Sequence, residues 1–164
     1  MANFSFDIVS EVDFQEVDNA INQAKKELDQ RYDFKGSKAS IEYNRAEKKI
    51  TLVGDDDYKL RALQDMIRTR AAKRGLSLKS FDFQEPQKAF EGSLRQIVAI
   101  TSGIPKDRAK ELVKLIKDMN IKVQPQIEGE KVRVVSAKKD FLQEVMTRLR
   151  AADFPLALDF NNYR

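Results

Sequence analysis

The chain has 164 residues, with 30 Lys+Arg against 26 Asp+Glu for a formal charge of +4, six glycines, and neither cysteine nor histidine. Those absences exclude Ser-His-Asp and Cys-His nucleophile systems, zinc fingers and a disulfide framework. The glycines, at 36, 54, 75, 92, 103 and 129, are too scattered for a dinucleotide fingerprint or a Walker loop, and the composition fits one or two small, highly soluble globular domains.

The first residues, Met1-Ala2-Asn3-Phe4, form no basic region followed by a long apolar run, and no stretch of about 18 apolar residues occurs anywhere. The expectation is a cytoplasmic protein that makes no use of a membrane. Phe4, Phe6 and Ile8 alternate with Ser5, Asp7 and Val9, which predicts a first strand with its aromatics buried. Phe14, Val17, Ile21, Ala24 and Leu28 then recur at helical steps and predict a helix from about Asp13, an N-cap residue, to Arg31.

Strands are predicted at 39–43 and 49–53. A second helix carries Leu60, Leu63, Ile67 and Ala71, opened by Asp55-Asp56-Asp57 and closed by Lys73-Arg74-Gly75, as the macrodipole prefers. Strands at 78–83 and 94–100 follow. A third helix starts at Pro105 with Ala109, Leu112, Ile116 and Met119 inward, strands at 122–127 and 131–135 flank Glu128-Gly129-Glu130, a fourth helix holds Leu142 to Leu149, and a last strand spans 156–160.

The order strand, helix, strand, strand, helix, strand occurs twice, which predicts an α+β protein of tandem ferredoxin-like βαββαβ domains. Each would be a four-stranded antiparallel sheet with two helices on one face and the other face open. The linker is expected at 86–93, where Pro86 and Gly92 interrupt the pattern. Residues 1–85 carry 15 basic and 16 acidic side chains, and residues 86–164 carry 15 and 10, so an anion-binding surface is expected in the second half.

Four features carry candidate chemistry. In Tyr32-Asp33-Phe34-Lys35-Gly36, Phe34 or Tyr32 suits base stacking and Lys35 suits phosphate, while a packed helix-to-strand turn reads the same residues structurally. Lys106, Lys110, Lys114 and Lys117 share one helical face, which suits a phosphate backbone, an acidic partner or plain solvation. Lys138 and Lys139 open the fourth helix, where cations oppose the macrodipole. Asp55 to Asp57 suit either a magnesium site or simple helix capping. RNA-recognition stacking is poorly supported, because 50–53 and 132–135 contain no aromatic residue.

At Ser5-Phe6-Asp7-Ile8-Val9-Ser10-Glu11-Val12-Asp13 the chain resembles the YajQ-like family of small bacterial cytosolic proteins. Further matches are Arg31-Tyr32-Asp33-Phe34-Lys35-Gly36, Ala72-Lys73-Arg74-Gly75, Lys122-Val123-Gln124, Val132-Arg133-Val134 and the closing Phe160-Asn161-Asn162-Tyr163-Arg164. It departs from the family's usual pattern at Pro125 and at Ser136-Ala137.

The resemblance implies an exchange of first strands. The first domain would comprise 11–85 with the strand 94–100, and the second 1–10 with 101–164. It also implies nucleotide binding, with guanine nucleotides, cyclic di-GMP and RNA as ligands and regulation rather than turnover as the role. Lys35, Arg133, Lys138 and Lys139 are then expected to meet phosphates, and Phe34 and Asn161 a base. No catalytic residue, metal or cofactor is expected, nor sequence-specific DNA binding. The alternative is a protein-interaction adaptor that uses the basic helix 105–119.

Overall fold

A computed structural model describes residues 3–164; Met1 and Ala2, the start of the expected exchanged strand, lie outside the described residues. The elements are β1 (Phe4–Val9), α1 (Phe14–Gln30), β2 (Ser40–Asn44), β3 (Lys49–Gly54), α2 (Asp57–Lys73), β4 (Phe81–Phe83), β5 (Gln87–Lys88), β6 (Leu94–Ile100), α3 (Lys106–Lys117), β7 (Gln124–Glu128), β8 (Lys131–Ser136), α4 (Lys139–Ala151) and β9 (Asp159–Asn161). The chain divides into a continuous unit, Val12–Thr101, and a split unit made of Met1–Glu11 and Ser102–Arg164.

The split unit's sheet has the order β7-β8-β1-β9, and the continuous unit's has β2-β3-β6-β4, with β5 also paired to β6. All pairs are antiparallel. Both orders are those of a βαββαβ ferredoxin-like unit once β1 and β6 are each taken as the first strand. The fold is therefore α+β and tandem, with α1 following β1 in sequence yet packing on the sheet that β6 completes.

Period-two burial fixes which side of each sheet the helices cover. In the split unit Phe6, Ile8, Val132 and Val134 are fully buried with Leu112, Ile116, Leu142 and Val145 from α3 and α4. In the continuous unit Ile50, Leu52 and Val98 pack with Val17, Ile21, Leu63 and Ile67 from α1 and α2. Each such side chain contributes roughly 1.5–3 kcal/mol by leaving water. The opposite faces carry Ser5, Asp7, Arg133 and Asn161 in one unit and Thr51, Ile97 and Ala99 in the other, as the cross-strand pairs require.

Three local outcomes differ from expectation. Leu78–Ser80 is a 3-10 turn, so the strand begins only at Phe81; the turn starts at Ser77, whose hydroxyl accepts from the Lys79 amide. The stretch expected as a linker contains β5, which hydrogen-bonds to β6. The last strand begins at Asp159 rather than at Leu156, because Phe154 and Leu156 are buried in the core instead of lying in the sheet. Among the described residues no helix is long and apolar enough to cross a membrane.

Strand exchange also changes the charge expectation. The continuous unit holds 17 Lys+Arg against 15 Asp+Glu, and the split unit 13 against 11, so each is +2. Moving Asp7 and Glu11 one way, and Lys88, Glu91 and Arg95 the other, removes the asymmetry of the sequence halves. What distinguishes the units is where their charges stand.

Candidate functional site

In the continuous unit, α1 gives way at Arg31, whose extended backbone leads into the 3-10 turn Tyr32–Phe34. Gly36 follows at φ +76°, a left-handed conformation that glycine adopts without penalty. Phe34 is only 6% exposed and belongs to the core. The Arg31 guanidinium and the Lys59 ammonium stand 5.2 and 4.5 Å from its ring centroid. Its ring is largely a packing anchor, braced by two cations, and it also contributes to the wall of the cavity beside the turn. The exposed ring at this turn is Tyr32, at 86%.

Cross-links from three sides hold the turn. Arg31 grips Asp33 through Nε–Oδ1 at 3.0 Å and Nη2–Oδ2 at 2.7 Å, a bidentate pair that holds the Asp33 carboxyl below its ordinary range. Lys59 donates to the Asp33 carbonyl. Asp55 accepts from the Ser37 hydroxyl and, at 3.1 Å, from the Lys38 amide, while the Lys38 ammonium pairs with Glu91.

This leaves Lys35 exposed and without an ion pair among the described residues. The turn lines a cavity of about 420 Å³ with Arg31, Tyr32, Phe34, Lys35, Gly36 and Ser37 on its wall. That volume lies within the range of small-molecule sites. In the acidic run Asp55 closes the turn, Asp56 caps α2 by accepting from the Lys59 amide at 2.8 Å, and Asp57 pairs with Arg61 at 3.7 Å in the first turn of α2. No group of three acidic residues able to hold a metal occurs among the described residues.

On the face of the split sheet away from its helices, Asp7 lies in register with Arg133 on one side and Asn161 on the other. Its carboxylate is 2% exposed. It accepts from Arg133 Nε at 3.0 Å, Lys131 Nζ at 3.1 Å and Asn162 Nδ2 at 2.9 Å. Burial alone would raise its pKa, but the Arg133, Asn162 and Lys131 hydrogen bonds outweigh that and hold it at about 2.

Arg133 also lies 3.4 Å from Glu128, so its charge is balanced within the sheet, and a phosphate arriving there must compete with Asp7. Asn161 is exposed on the same face. Lys131 and Asn162, which complete this network, were not predicted. Asn162 offered a signal, since asparagine tolerates the left-handed φ of +52° that turns its amide toward Asp7.

The remaining two predicted residues stand together where β8 enters α4. Ser136 is buried; its hydroxyl donates to the Lys122 carbonyl at 2.9 Å and accepts from the Lys138 amide at 3.3 Å. Lys138 is the N-cap itself, with no side-chain cap, and Lys139 is the first helical residue. Both are exposed, with ammonium groups 5.7 Å from the Phe141 ring centroid and 5.1 Å from that of Phe4. The six predicted residues thus form three pairs: Phe34 with Lys35 at the turn, Arg133 with Asn161 on the sheet, and Lys138 with Lys139 at the helix start.

Comparison with known proteins gives one consistent answer. The family described as "Nucleotide-binding protein YajQ-like" matches residues 4–164. A nucleotide-binding protein of Endomicrobium trichonymphae is 58% identical over 161 residues, 98% of each chain. One of Chloroherpeton thalassium is 46% identical over 163 residues, 99% of each chain. On a match of this extent, carried by the whole length of both units, the chain belongs to the YajQ-like family.

Proposed function

We propose that this chain is a non-enzymatic binder of phosphate-bearing nucleotides, either a guanine nucleotide such as cyclic di-GMP or GTP, or RNA, and that it acts in regulation. One observation carries the reading. The turn after α1 sets an exposed ring, an unpaired ammonium and an open glycine around a cavity of nucleotide size.

Tyr32, the exposed ring, and Phe34, mostly buried yet lining the same cavity, take the base-contacting role. Lys35 meets phosphate, and the Gly36 backbone lets a ligand approach closely, since nothing lies within 4 Å of where a Cβ would stand. In the split unit Lys138 and Lys139 supply a second set of phosphate contacts. Arg133 and Asn161 lie beside Asp7 and contribute only by loosening that network. The names of the relatives support nucleotide binding.

Calorimetric titration with cyclic di-GMP, GTP and a short RNA, at two salt concentrations, tests it. The expected result is binding that weakens with salt and falls at least about tenfold in the Tyr32→Ala, Lys35→Ala double variant. No heat from any of the three at low salt overturns it.

A further inference from the structure

A second cavity, of about 330 Å³, opens in the continuous unit beside the one at the turn, and Gln30 and Arg31 belong to the walls of both. Gln23, Lys26, Glu27 and Gln30 stand at positions i, i+3, i+4 and i+7 of α1, which sets them on one side of that helix, and Arg70 reaches them from α2. The volume lies within the range of small-molecule sites.

The wall decides what can enter. It contains no aromatic ring, so a base finds nothing to stack on. Three of its side chains are cations, Lys26, Arg31 and Arg70, against the single carboxylate of Glu27. Glu27 shows how this set receives an oxyanion. Its Oε1 accepts from Arg70 Nε at 3.1 Å and Nη2 at 3.0 Å, while its Oε2 lies 4.0 Å from Arg31 Nη1, beyond hydrogen-bond length. Arg31 directs its Nε and Nη2 to Asp33 instead. Among the described residues the Nη1 groups of both arginines, the Lys26 ammonium and the Gln23 and Gln30 amides therefore have no hydrogen-bond partner. What sets these groups apart from other exposed cations is the hollow that all of them border.

We infer that this cavity binds a small organic anion carrying two or more carboxylates. A guanidinium fork matches a planar carboxylate, and the Glu27 carboxylate already stands between two such forks. Three cations around a hollow of this size suit separated charges on one molecule better than a single compact ion. The glutamine amides, which both donate and accept, suit a hydroxyl or carbonyl between those carboxylates. The inference adds a ligand of a different class to the function proposed above and does not rest on it.

Citrate serves as the probe, with acetate and inorganic phosphate as comparisons, and backbone amide resonances of the whole chain are followed through each titration. The expected result is saturable citrate binding that shifts Gln23 to Gln30 and Arg70, with acetate and phosphate each at least about tenfold weaker. Lys26→Glu, an exposed change that leaves the core untouched, should lower citrate affinity at least about tenfold. Lys88→Glu makes the same change of charge at an exposed position of the same unit outside the cavity wall, and should leave citrate affinity within about twofold; circular dichroism checks both folds. No saturable citrate binding by the parent, equal losses in the two variants, phosphate as tight as citrate, or shifts confined to residues outside this wall each overturns the inference. A GTP titration of the same protein reads the function proposed above separately: its failure leaves a citrate site standing, and an absent citrate site leaves nucleotide binding standing.

Discussion

The two units repeat one topology and invert one another's electrostatics at matching positions. In register, Ile8, Val132 and Phe160 of the split unit occupy the places of Val98, Ile50 and Phe83 of the continuous unit. The N-caps then coincide: Asp56 opens α2 and Lys138 opens α4. Asp57 corresponds to Lys139. The central pair of the open face is Asp7 with Arg133 in one unit and Ile97 with Thr51 in the other.

Matching α1 to α3 by their caps, Asp13 and Pro105, sets Lys106, Lys110, Lys114 and Lys117 against Phe14, Asp18, Asn22 and Lys25. Both units carry +2, yet one opens its equivalent helix on Asp56 and Asp57 and the other on Lys138 and Lys139. The core of a duplicated fold is constrained by packing, whereas its helix starts are free to trade stability for an anion.

That comparison can be broken first at the strand-to-helix turn. Gly54 and Ser136 are equivalent, but a Cβ at Gly54 would lie 2.7 Å from the Leu60 amide nitrogen, a backbone atom that cannot step aside. Gly54→Ala should destabilise by about 2–3 kcal/mol. Ser136→Ala, which loses the bond to the Lys122 carbonyl, should cost only about 1 kcal/mol. Denaturant midpoints decide between them; equal losses would show that the two turns are not built alike.

Next comes the central pair. Asp7 shifts from its ordinary 3.8 to about 2 on folding, which corresponds to about 2 kcal/mol. Because the folded-state pKa lies below the unfolded one, that contribution is present above about pH 4 and is lost as pH falls toward 2. Asp7→Asn should cost about 2 kcal/mol at neutral pH and flatten the acid limb of the stability curve; Arg133 and Lys131, each about a third exposed, can hydrate once the carboxylate is gone. Ile97→Val, at the matching position, should leave that limb untouched.

The smallest effect concerns the caps. Lys138→Asp should stabilise by about 1 kcal/mol by giving α4 the cap that α2 has. The same change should weaken phosphate binding, which thermal melts and titrations read together. A variant more stable and equally tight would remove the functional reason for the lysine.

The duplication was legible because Phe6, Ile8, Val132 and Val134 alternate at period two and Ala109, Leu112 and Ile116 at helical steps, and burial depends on little else. The strand exchange was not contained in that pattern, since β1 and β6 are equally apolar on their inner faces; only the resemblance pointed to it. Among site residues, Lys35, Lys138 and Lys139 were found as exposed cations at turns. For Phe34 the sequence shows an aromatic at the turn but not that Arg31 and Lys59 brace it from the turn and from α2, a meeting of distant segments that spacing does not encode. The Asp7 network is hidden for the same reason: Asn162, which completes it, arrives from the far end of the chain.

The central claim, that nucleotide binds at the turn after α1, is tested most directly by following backbone amide resonances during a GTP titration. The account predicts saturable shifts centred on Tyr32 to Ser37, with a second set at Lys138 and Lys139. A spectrum unchanged at saturating nucleotide, or shifts confined to residues away from both places, would contradict it.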